Sequence, residues 1–388
     1  MPPTPSPRKP GAAAGTLVLI VLIVALAVGG LWWLRGHDGG SGSESPAEAT
    51  ADEGGRSGDA DTGGPSGSGD GDRLDGSGAG PGLGDSAEEI AAQDFPDEPK
   101  VVVISVDGLG SLWVSETTTP TLADLVEQGA GTLNARTAVE KTVTLPNHTG
   151  MVTGDRVRRA SGGHGVTWND TSTRSVARGT ESVFSTIAGA GGTSAVFVGK
   201  EKFEMWGRAW PGTIDDFDIL ADQTDLVDTA IADLREDDHD LVFVHLSGPD
   251  LAGHESGWGS DDYLEAVARA DADIDRIVSA VVDDSRLSEE VVVVVTADHG
   301  GVPGLQDHGG RQRFENYTIP FAVWGPGITR GDLYALNPDY RDPGDGRPRY
   351  RGPQPVRNGN VANVVTELLG LDPVPRSLLG VERDLDVD

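Results

Sequence analysis

The chain has 388 residues, with 62 Asp and Glu against 30 Lys and Arg, and a formal net charge of −32. This negative charge argues against a nucleic-acid polymer as a structural partner, because phosphate backbones are bound by basic surfaces. It does not exclude an anionic substrate, since bound divalent cations reverse the local potential. The chain contains no cysteine, so disulfides, thiolate ligands and a cysteine nucleophile are excluded.

The N-terminal part of the chain predicts a membrane anchor. Residues 1–15 are expected in the cytoplasm, and the uncharged apolar run at 16–34 has the length that a membrane-spanning helix needs. Arg8 and Lys9 precede this run, so the positive-inside rule places the rest of the chain outside a cell membrane that is crossed once. Cleavage of a signal peptide near Ala25 would instead give a secreted protein.

Residues 35–97 are rich in Gly, Ser, Asp, Glu and Pro and have few large apolar side chains. Such a composition buries too little apolar surface to offset the entropy lost on ordering, so we expect a disordered acidic linker. A folded domain is predicted over residues 98–388. Nothing in the sequence indicates a protein partner for this domain.

Within the folded domain, short apolar runs alternate with segments of helical spacing. The apolar runs predict strands at 101–106, 194–198, 241–246, 290–296 and 319–324. The helical spacing predicts helices at 120–129, 182–188, 226–234, 262–282 and 361–369. This alternation predicts an α/β fold with a doubly wound, mostly parallel sheet and helices on both faces.

Acidic and histidine side chains follow three of the predicted strands. Asp107 follows the first strand, Asp250 and His254 follow the third, and Asp298 and His299 follow the fourth. Because the carboxyl ends of parallel strands share one edge of a sheet, we expect these side chains to lie close together. Carboxylate oxygens and imidazole nitrogens are ligands that zinc prefers, so the pattern predicts a metal site. The alternative is a plain polar turn after each strand.

Two further residues extend this pattern. His308 lies shortly after the Asp-His pair in a glycine-rich stretch and is a candidate third metal ligand. Thr144 in TVTLPNH precedes Pro146, which suits the first turn of a helix. A threonine hydroxyl becomes a competent nucleophile when a divalent cation coordinates it. The alternative is that Thr144 is only the N-cap of a helix.

The motifs occur in a specific order: D-G, T-x-P-N-H, H-G-x-x-x-N, D-x-x-x-H, D-H-G and a late H-G, from about residue 100 to residue 371. In this order they resemble the type I phosphodiesterase/nucleotide pyrophosphatase family of the alkaline phosphatase superfamily. The resemblance implies an alkaline-phosphatase-like fold. It also implies a hydrolase that acts on phosphoric ester bonds in a small phosphoester substrate.

The resemblance further implies a role for each matching residue. It implies two divalent cations, expected to be zinc, the first bound by Asp107, Asp298, His299 and Thr144 and the second by Asp250, His254 and His308. Thr144 would be the nucleophile that forms a phosphothreonine intermediate, and Asn169 in HGVTWN would donate a hydrogen bond to a phosphoryl oxygen. Asn147 and His148 match positions that are expected to be structural.

The sequence departs from the family pattern at positions that bear on the substrate. Leu145 stands where nucleotide-cleaving members usually carry an aromatic residue, so one stacking surface for a base is missing. Arg156, Arg158 and Arg159 form a basic segment that would suit a second phosphate or would simply be solvated. The segment GKEKFEMW, which contains Lys200, is a second candidate pocket lining.

The residues leave alternative functions open. A phosphomonoesterase, a phosphonate hydrolase or a phospho-head-group transferase of the same superfamily would use a similar threonine, and a membrane tether suits lipid-linked donors. A non-catalytic metal-binding ectodomain belongs to a different class of function. Sulfatases are disfavoured, because the chain lacks the C/S-x-P-x-R context that they need.

Overall fold

The computed structural model describes residues 84–310, 313–380 and 385–388. The predicted cytoplasmic segment, the predicted membrane span at 16–34 and most of the predicted linker lie outside these residues. Within the described residues, no helix is both long enough and apolar enough to cross a bilayer.

Eight strands form one sheet in the described part of the chain. They are β1 (Lys100–Val106), β2 (Ala130–Arg136), β3 (Ser194–Val198), β4 (Asp216–Ile219), β5 (Leu241–Leu246), β6 (Val291–Ala297), β7 (Thr318–Trp324) and β8 (Gly331–Asp332). Their order across the sheet is β4-β3-β5-β1-β6-β7-β2-β8. The strands predicted from the sequence are confirmed, and their ends differ from the predicted ones by one residue at most.

The sheet is mixed. The adjacent strands β4, β3, β5, β1 and β6 run parallel, whereas β7 runs antiparallel to both β6 and β2. At the centre, Val103 of β1 pairs with Phe243 on one side and Val294 on the other. Every residue of β5 and β6 is buried, so both faces of these strands are covered.

Three strands escape the sequence pattern for identifiable reasons. β2 contains Gly131 and Asn134, which are residue types depleted in strands, and its register shifts between Thr132 and Ala135. β4 is an edge strand whose two aspartates are exposed, so it has no continuous apolar run. β8 is only two residues long. Pairing with a neighbouring strand, rather than an apolar pattern, defines each of them.

The described part of the chain contains eleven α-helices, several of which pack in two groups. They are α1 (Asp85–Ala91), α2 (Pro120–Gln128), α3 (Thr144–Thr153), α4 (Val183–Ala190), α5 (Glu204–Ala209), α6 (Gln223–Glu236), α7 (Gly248–Ser256), α8 (Asp261–Val282), α9 (Leu287–Glu290), α10 (Leu333–Leu336) and α11 (Val361–Leu368). α8 packs against α2, α6 and α7, whereas α11 packs against α3 and α4. Two separate groups agree with the predicted cover on both faces of the sheet.

The predicted linker is wrong at its C-terminal end. Residues 85–91 form α1, whose Ala87 and Ile90 are buried and which packs against α8. After this helix, Phe95 packs so closely over Gly327 that a Cβ at position 327 would clash with it. The polar composition hid this helix, because only two of its side chains join the core. The folded domain therefore begins before residue 98.

We predict that Ile90→Ala lowers the free energy of unfolding by about 2–4 kcal/mol, because it removes a buried side chain from the contact with the core. Chemical denaturation of a chain that begins at Gly84 measures this loss. Glu89→Ala, at an exposed position of the same helix, is the matched control and should change stability by less than about 0.5 kcal/mol. Equal stabilities of the Ile90→Ala variant and the unmodified chain would mean that α1 is not part of the folded domain.

Candidate metal centre

Four adjacent parallel strands end at one edge of the sheet and deliver the polar side chains of the site. Asp107 directly follows β1, Asp298 directly follows β6, and Asp250 lies in the first turn of α7, just after β5. Lys200 lies two residues after the end of β3. The three carboxylates are buried. Parallel pairing of β3, β5, β1 and β6 therefore concentrates three acids and one base at the carboxyl edge, where open α/β sheets bind ligands.

The two carboxylates and the imidazole of the first predicted ligand set lie close together. His299 Nε2 lies 3.2 Å from Asp298 Oδ2 and 3.5 Å from Asp107 Oδ1. All three atoms are buried and have no hydrogen-bond partner among the described residues. Leaving buried polar atoms without partners is costly, and a shared divalent cation would satisfy all three. The donor set therefore fits a metal ion.

The second predicted ligand set also converges. Asp250 Oδ1 lies 3.5 Å from His254 Nε2 and 3.6 Å from His308 Nε2, and the two imidazole nitrogens are 3.0 Å apart. Asp250 Oδ1 is buried without a hydrogen-bond partner in the described part of the chain. His299 Nε2 is 3.7 Å from the same oxygen, so the two sets adjoin. His254 is the most exposed member, with 48% of its side chain accessible.

The ligand histidines share one orienting device. Nδ1 of His254 donates to Gln306 O at 2.9 Å, Nδ1 of His299 donates to Gly300 O at 3.1 Å, and Nδ1 of His308 donates to Thr142 O. Since a carbonyl only accepts, each ring carries its proton on Nδ1 and presents the Nε2 lone pair. Burial and the neighbouring His308 lower the pKa of His299 to about 3, and burial also lowers the pKa of His308. These shifts favour the neutral form of His299 and of His308, which is the form that binds a metal ion.

Lys200 joins the two sets. Its Nζ lies 2.6 Å from Asp107 Oδ2 and 2.6 Å from Asp250 Oδ2, so it contacts one carboxylate of each set. His245 Nε2 donates to Asp107 Oδ2 at 2.9 Å, while its Nδ1 accepts from the Gly199 amide at 3.2 Å. In both aspartates, Oδ2 is therefore paired and Oδ1 remains open to a cation.

Two of the carboxylates, Asp107 and Asp298, have pKa values shifted in opposite directions. Burial alone would raise the pKa of Asp107, but the ammonium of Lys200 and the hydrogen bond from His245 hold that pKa well below its ordinary value. Burial, reinforced by the charges of Asp107 and Asp250, raises the pKa of Asp298 well above its ordinary range. Without bound cations, these opposite shifts favour the protonated form at Asp298 over Asp107.

Gly108 allows the two ligand segments to approach each other. Its φ is +78°, and a Cβ at this position would lie 2.9 Å from the Asp250 Cα. Its amide donates to Asp298 Oδ1 at 3.0 Å, and its carbonyl accepts from Trp258 Nε1 and the Tyr263 hydroxyl, each at 3.0 Å. A side chain at position 108 would therefore displace α7 from the end of β1.

Thr144 is the first residue of α3, and the N-cap position belongs to Val143. The interpretation of Thr144 as an N-cap is therefore wrong. The Thr144 carbonyl accepts from His148 Nδ1 at 3.0 Å, and that nitrogen is 3.5 Å from Asp298 Oδ2. On the other side, the Thr142 hydroxyl donates to the His308 carbonyl at 2.6 Å. These contacts bring the start of α3 against both ligand sets.

The two asparagines differ in their surroundings. Asn169 is exposed, and its Oδ1 accepts from the Leu145 amide at 2.9 Å, so it lies beside the start of α3. Asn147 is buried, and its Nδ2 donates to the carbonyls of Lys141 and Val143 at 2.9 and 3.1 Å. Asn147 thus shapes the loop before Thr144, which agrees with a structural position.

Sequence reasoning missed part of this arrangement. His245 was not predicted as a site residue, because it lies inside an apolar strand where a buried structural histidine is the usual interpretation. Lys200 was only assigned to a candidate pocket lining, although it follows a strand end as Asp107 does. Phe203 and Trp206, from the same segment, are fully buried in the core. Leu145 is likewise buried.

Comparison with curated relatives gives local matches. The chain is 36% identical over 99 residues to GPI ethanolamine phosphate transferase 1 of Emericella nidulans. It is 38% identical over 81 residues to a 2,3-bisphosphoglycerate-independent phosphoglycerate mutase of Metallosphaera sedula. The matched segments cover 25% and 21% of this chain but only 10% and 17% of the two relatives.

Solved structures share the fold. Murine ectonucleotide pyrophosphatase/phosphodiesterase 5, in complex with AMP, aligns with a TM-score of 0.51 at 15% identity, covering 72% of this chain and 96% of that one. A 2-O GAG sulfatase aligns with a TM-score of 0.52 at 13% identity, covering 72% and 73%. At these identities the likeness shows the alkaline-phosphatase-like fold alone.

A family model described as type I phosphodiesterase / nucleotide pyrophosphatase matches residues 101–351, which is more than half of the chain. This span contains every predicted site residue, from Asp107 to His308. The chain therefore belongs to the type I phosphodiesterase/nucleotide pyrophosphatase family, as the order of its motifs predicts.

Proposed function

We propose that this protein is a metal-dependent phosphodiesterase that hydrolyses a small phosphoester through a phosphothreonine intermediate on Thr144. One observation carries the proposal. Four buried ligand atoms without partners in the described part of the chain, Asp107 Oδ1, Asp250 Oδ1, Asp298 Oδ2 and His299 Nε2, converge beside the start of α3. A site that needs positive charge thus lies beside the helix start that carries Thr144, and phosphoryl transfer requires such a pairing of a cation site with a nucleophile.

The proposed cofactor is a pair of divalent cations, most simply zinc, given the mixture of carboxylate and imidazole ligands. The residues that would hold the pair are Asp107, Asp298, His299 and Thr144 for one ion, and Asp250, His254 and His308 for the other. When bound, the ions would supply Lewis-acid activation of a hydroxyl and neutralisation of phosphoryl charge.

In the proposed reaction, the Thr144 Oγ–phosphorus bond forms as the bond from phosphorus to the leaving oxygen breaks, and the leaving oxygen gains a proton. Water then cleaves the phosphothreonine and releases the phosphoryl product. Asn169 is suited to bind this group: its Oδ1 accepts from the Leu145 amide, and its Nδ2 donates to none of the described residues. A fixed donor beside the phosphoryl oxygens stabilises the charge that develops there.

We infer that Lys200 is a positioning residue. Its ammonium holds Oδ2 of Asp107 and of Asp250, which leaves Oδ1 of each carboxylate directed at its own ligand set. A single cation that contacts both sets fixes their separation, because the two carboxylates cannot move apart without losing a charge-assisted hydrogen bond.

A phospho-head-group transferase is the second candidate. Local similarity to GPI ethanolamine phosphate transferase 1 supports it. A transferase and a hydrolase would share the attack by Thr144 and differ only in whether an alcohol or water accepts the phosphoryl group.

We further propose that residues 16–34 anchor the chain in the cell membrane with the catalytic domain outside, because this run is apolar and follows Arg8 and Lys9.

We predict that the chain from Gly84 onward, loaded with zinc, cleaves bis-p-nitrophenyl phosphate faster than p-nitrophenyl phosphate and p-nitrophenyl sulfate. Thr144→Ala should lower the diesterase rate at least about a thousandfold, because the nucleophile is lost, while the zinc content is retained. Thr144→Ser should recover part of the rate. Near-wild-type turnover by Thr144→Ala would rule out the mechanism, and turnover that needs an added alcohol such as ethanolamine would favour the transferase.

We predict that Asp250→Ala lowers the zinc content from about two ions per chain to about one, because it removes the carboxylate of one ligand set. Inductively coupled plasma mass spectrometry of gel-filtered protein measures the number of zinc ions per chain. Asp261→Ala, at an exposed position nearby, is the control and should retain both ions. Loss of activity with full zinc retention in the Asp250 variant would contradict the ligand assignment.

We predict that Lys200→Met destabilises the metal-free protein by about 3–5 kcal/mol, because two buried carboxylate oxygens lose their counter-ion. The zinc-loaded variant should lose less stability, since bound cations neutralise the same carboxylates. Denaturant unfolding in EDTA and in zinc measures the two losses, with Lys202→Met as the neighbouring control. Equal losses in EDTA and in zinc would show that Lys200 does not balance the charge of the ligand carboxylates.

A further inference from the structure

Apart from the metal centre, the protein has a cavity of about 180 Å³ that is lined by arginines. We call it the arginine pocket. Its lining includes the side chains of Arg156, Arg158, Arg347 and Arg349, together with Glu140 and Tyr350. Acidic residues outnumber basic residues 62 to 30 in this chain, so four arginines against one carboxylate in one cavity is a local reversal of the charge.

Two of the pocket arginines are free to bind a ligand. The guanidinium groups of Arg158 and Arg349 make no hydrogen bond or ion pair with any residue that the structure describes, and both side chains are exposed. Arg156, by contrast, is paired with Glu140 at 2.6 Å. The single acid of the lining is therefore already paired, and the positive charge of Arg158 and Arg349 is left for an anion.

The pocket is built without a ligand. The Tyr350 ring lies between the guanidinium of Arg156, at 4.2 Å, and that of the buried Arg357, at 4.7 Å. Arg357 also donates to Pro348 O at 2.8 Å, and the buried Arg136 donates to Gly346 O at 3.0 Å. These two buried cations fix the backbone of residues 346–350, which carry Arg347 and Arg349. A preformed site loses less entropy when it binds a ligand.

The pocket adjoins the loop that leads to the nucleophile. Glu140 precedes Thr144 by four residues, so their Cα atoms are at most about 14 Å apart. Between them, Thr142 contacts His308 of the metal centre through its hydroxyl. The loop of residues 139–143 therefore has the arginine pocket at one end and the nucleophile at the other.

We propose that the arginine pocket binds a phosphate-class oxyanion, and that this anion is the second anionic group of the substrate whose ester bond Thr144 attacks. The substrate part of this inference depends on the proposed function. Guanidinium forks bind phosphate oxygens in a bidentate manner, and two unpaired arginines match a group with two or more negative charges. The substrate class is thus a phosphodiester or pyrophosphate that carries a further phosphate group near the scissile bond.

A binding experiment tests the pocket apart from catalysis. Calorimetry measures inorganic pyrophosphate binding to zinc-stripped Thr144→Ala protein, in which the metal centre holds no metal ion and the Lys200 ammonium is paired with two carboxylates. We expect binding that weakens at least about tenfold when R158Q and R349Q are added together, because two charge-assisted contacts are lost. The pair R269Q and R330Q, which removes two exposed arginines elsewhere, is the control and should leave the affinity unchanged. Absence of binding, or equal weakening by the two pairs, would overturn the site.

A kinetic experiment tests the substrate assignment. Two p-nitrophenyl phosphodiesters with the same leaving group are compared, one of which ends in an additional phosphate. We expect a lower KM for the phosphate-bearing ester, and we expect R158Q with R349Q to raise that KM at least about tenfold and so to remove most of the difference between the two esters. Pyrophosphate binding without this KM difference would overturn the substrate assignment. If neither ester is hydrolysed although pyrophosphate binds, the result contradicts the proposed function but supports the arginine pocket as an anion-binding site.

Discussion

Three buried carboxylates lie side by side at the carboxyl edge of the sheet, and the rest of the site depends on how their negative charge is balanced. Asp107, Asp250 and Asp298 are each almost inaccessible to solvent. A buried charge without a counter-ion costs several kcal/mol, so the fold tolerates this cluster only with cations nearby. Lys200 supplies one positive charge, and burial together with the charges of Asp107 and Asp250 raises the pKa of Asp298, which favours its uncharged form.

The topology explains why the charge accumulates at this edge. Strands β3, β5, β1 and β6 are neighbours and parallel, so the segments that follow them emerge together. Hydrophobic burial of these strands stabilises the sheet and fixes the positions of the four segments within it. Gly108 then permits α7 to approach the end of β1, which brings Asp250 into the cluster. The core thus holds together a site that electrostatic repulsion would otherwise separate.

Much of this arrangement is predictable from the sequence, because the ligand residues follow long apolar strands. Asp107 and Asp298 each follow a valine-rich apolar run, and the length of each run places the aspartate at the end of a strand. The contacts of Lys200 and His245 are not predictable in this way. They depend on which strands are neighbours, and strand order is a property of the tertiary structure. The same limit explains α1, which packs against α8. The burial of Ala87 and Ile90 makes this segment part of the folded domain, and a polar composition does not reveal that burial.

The central claim is that two adjoining ligand sets, joined by Lys200, bind two cations at once. An anomalous-difference map at the zinc edge, from crystals of zinc-loaded protein, tests it most directly. We expect one peak among Asp107, Asp298 and His299 and a second among Asp250, His254 and His308. Lys200 should still contact the carboxylates of Asp107 and Asp250. A single peak, with Lys200 remaining as the only other cation in the site, would contradict the two-cation site.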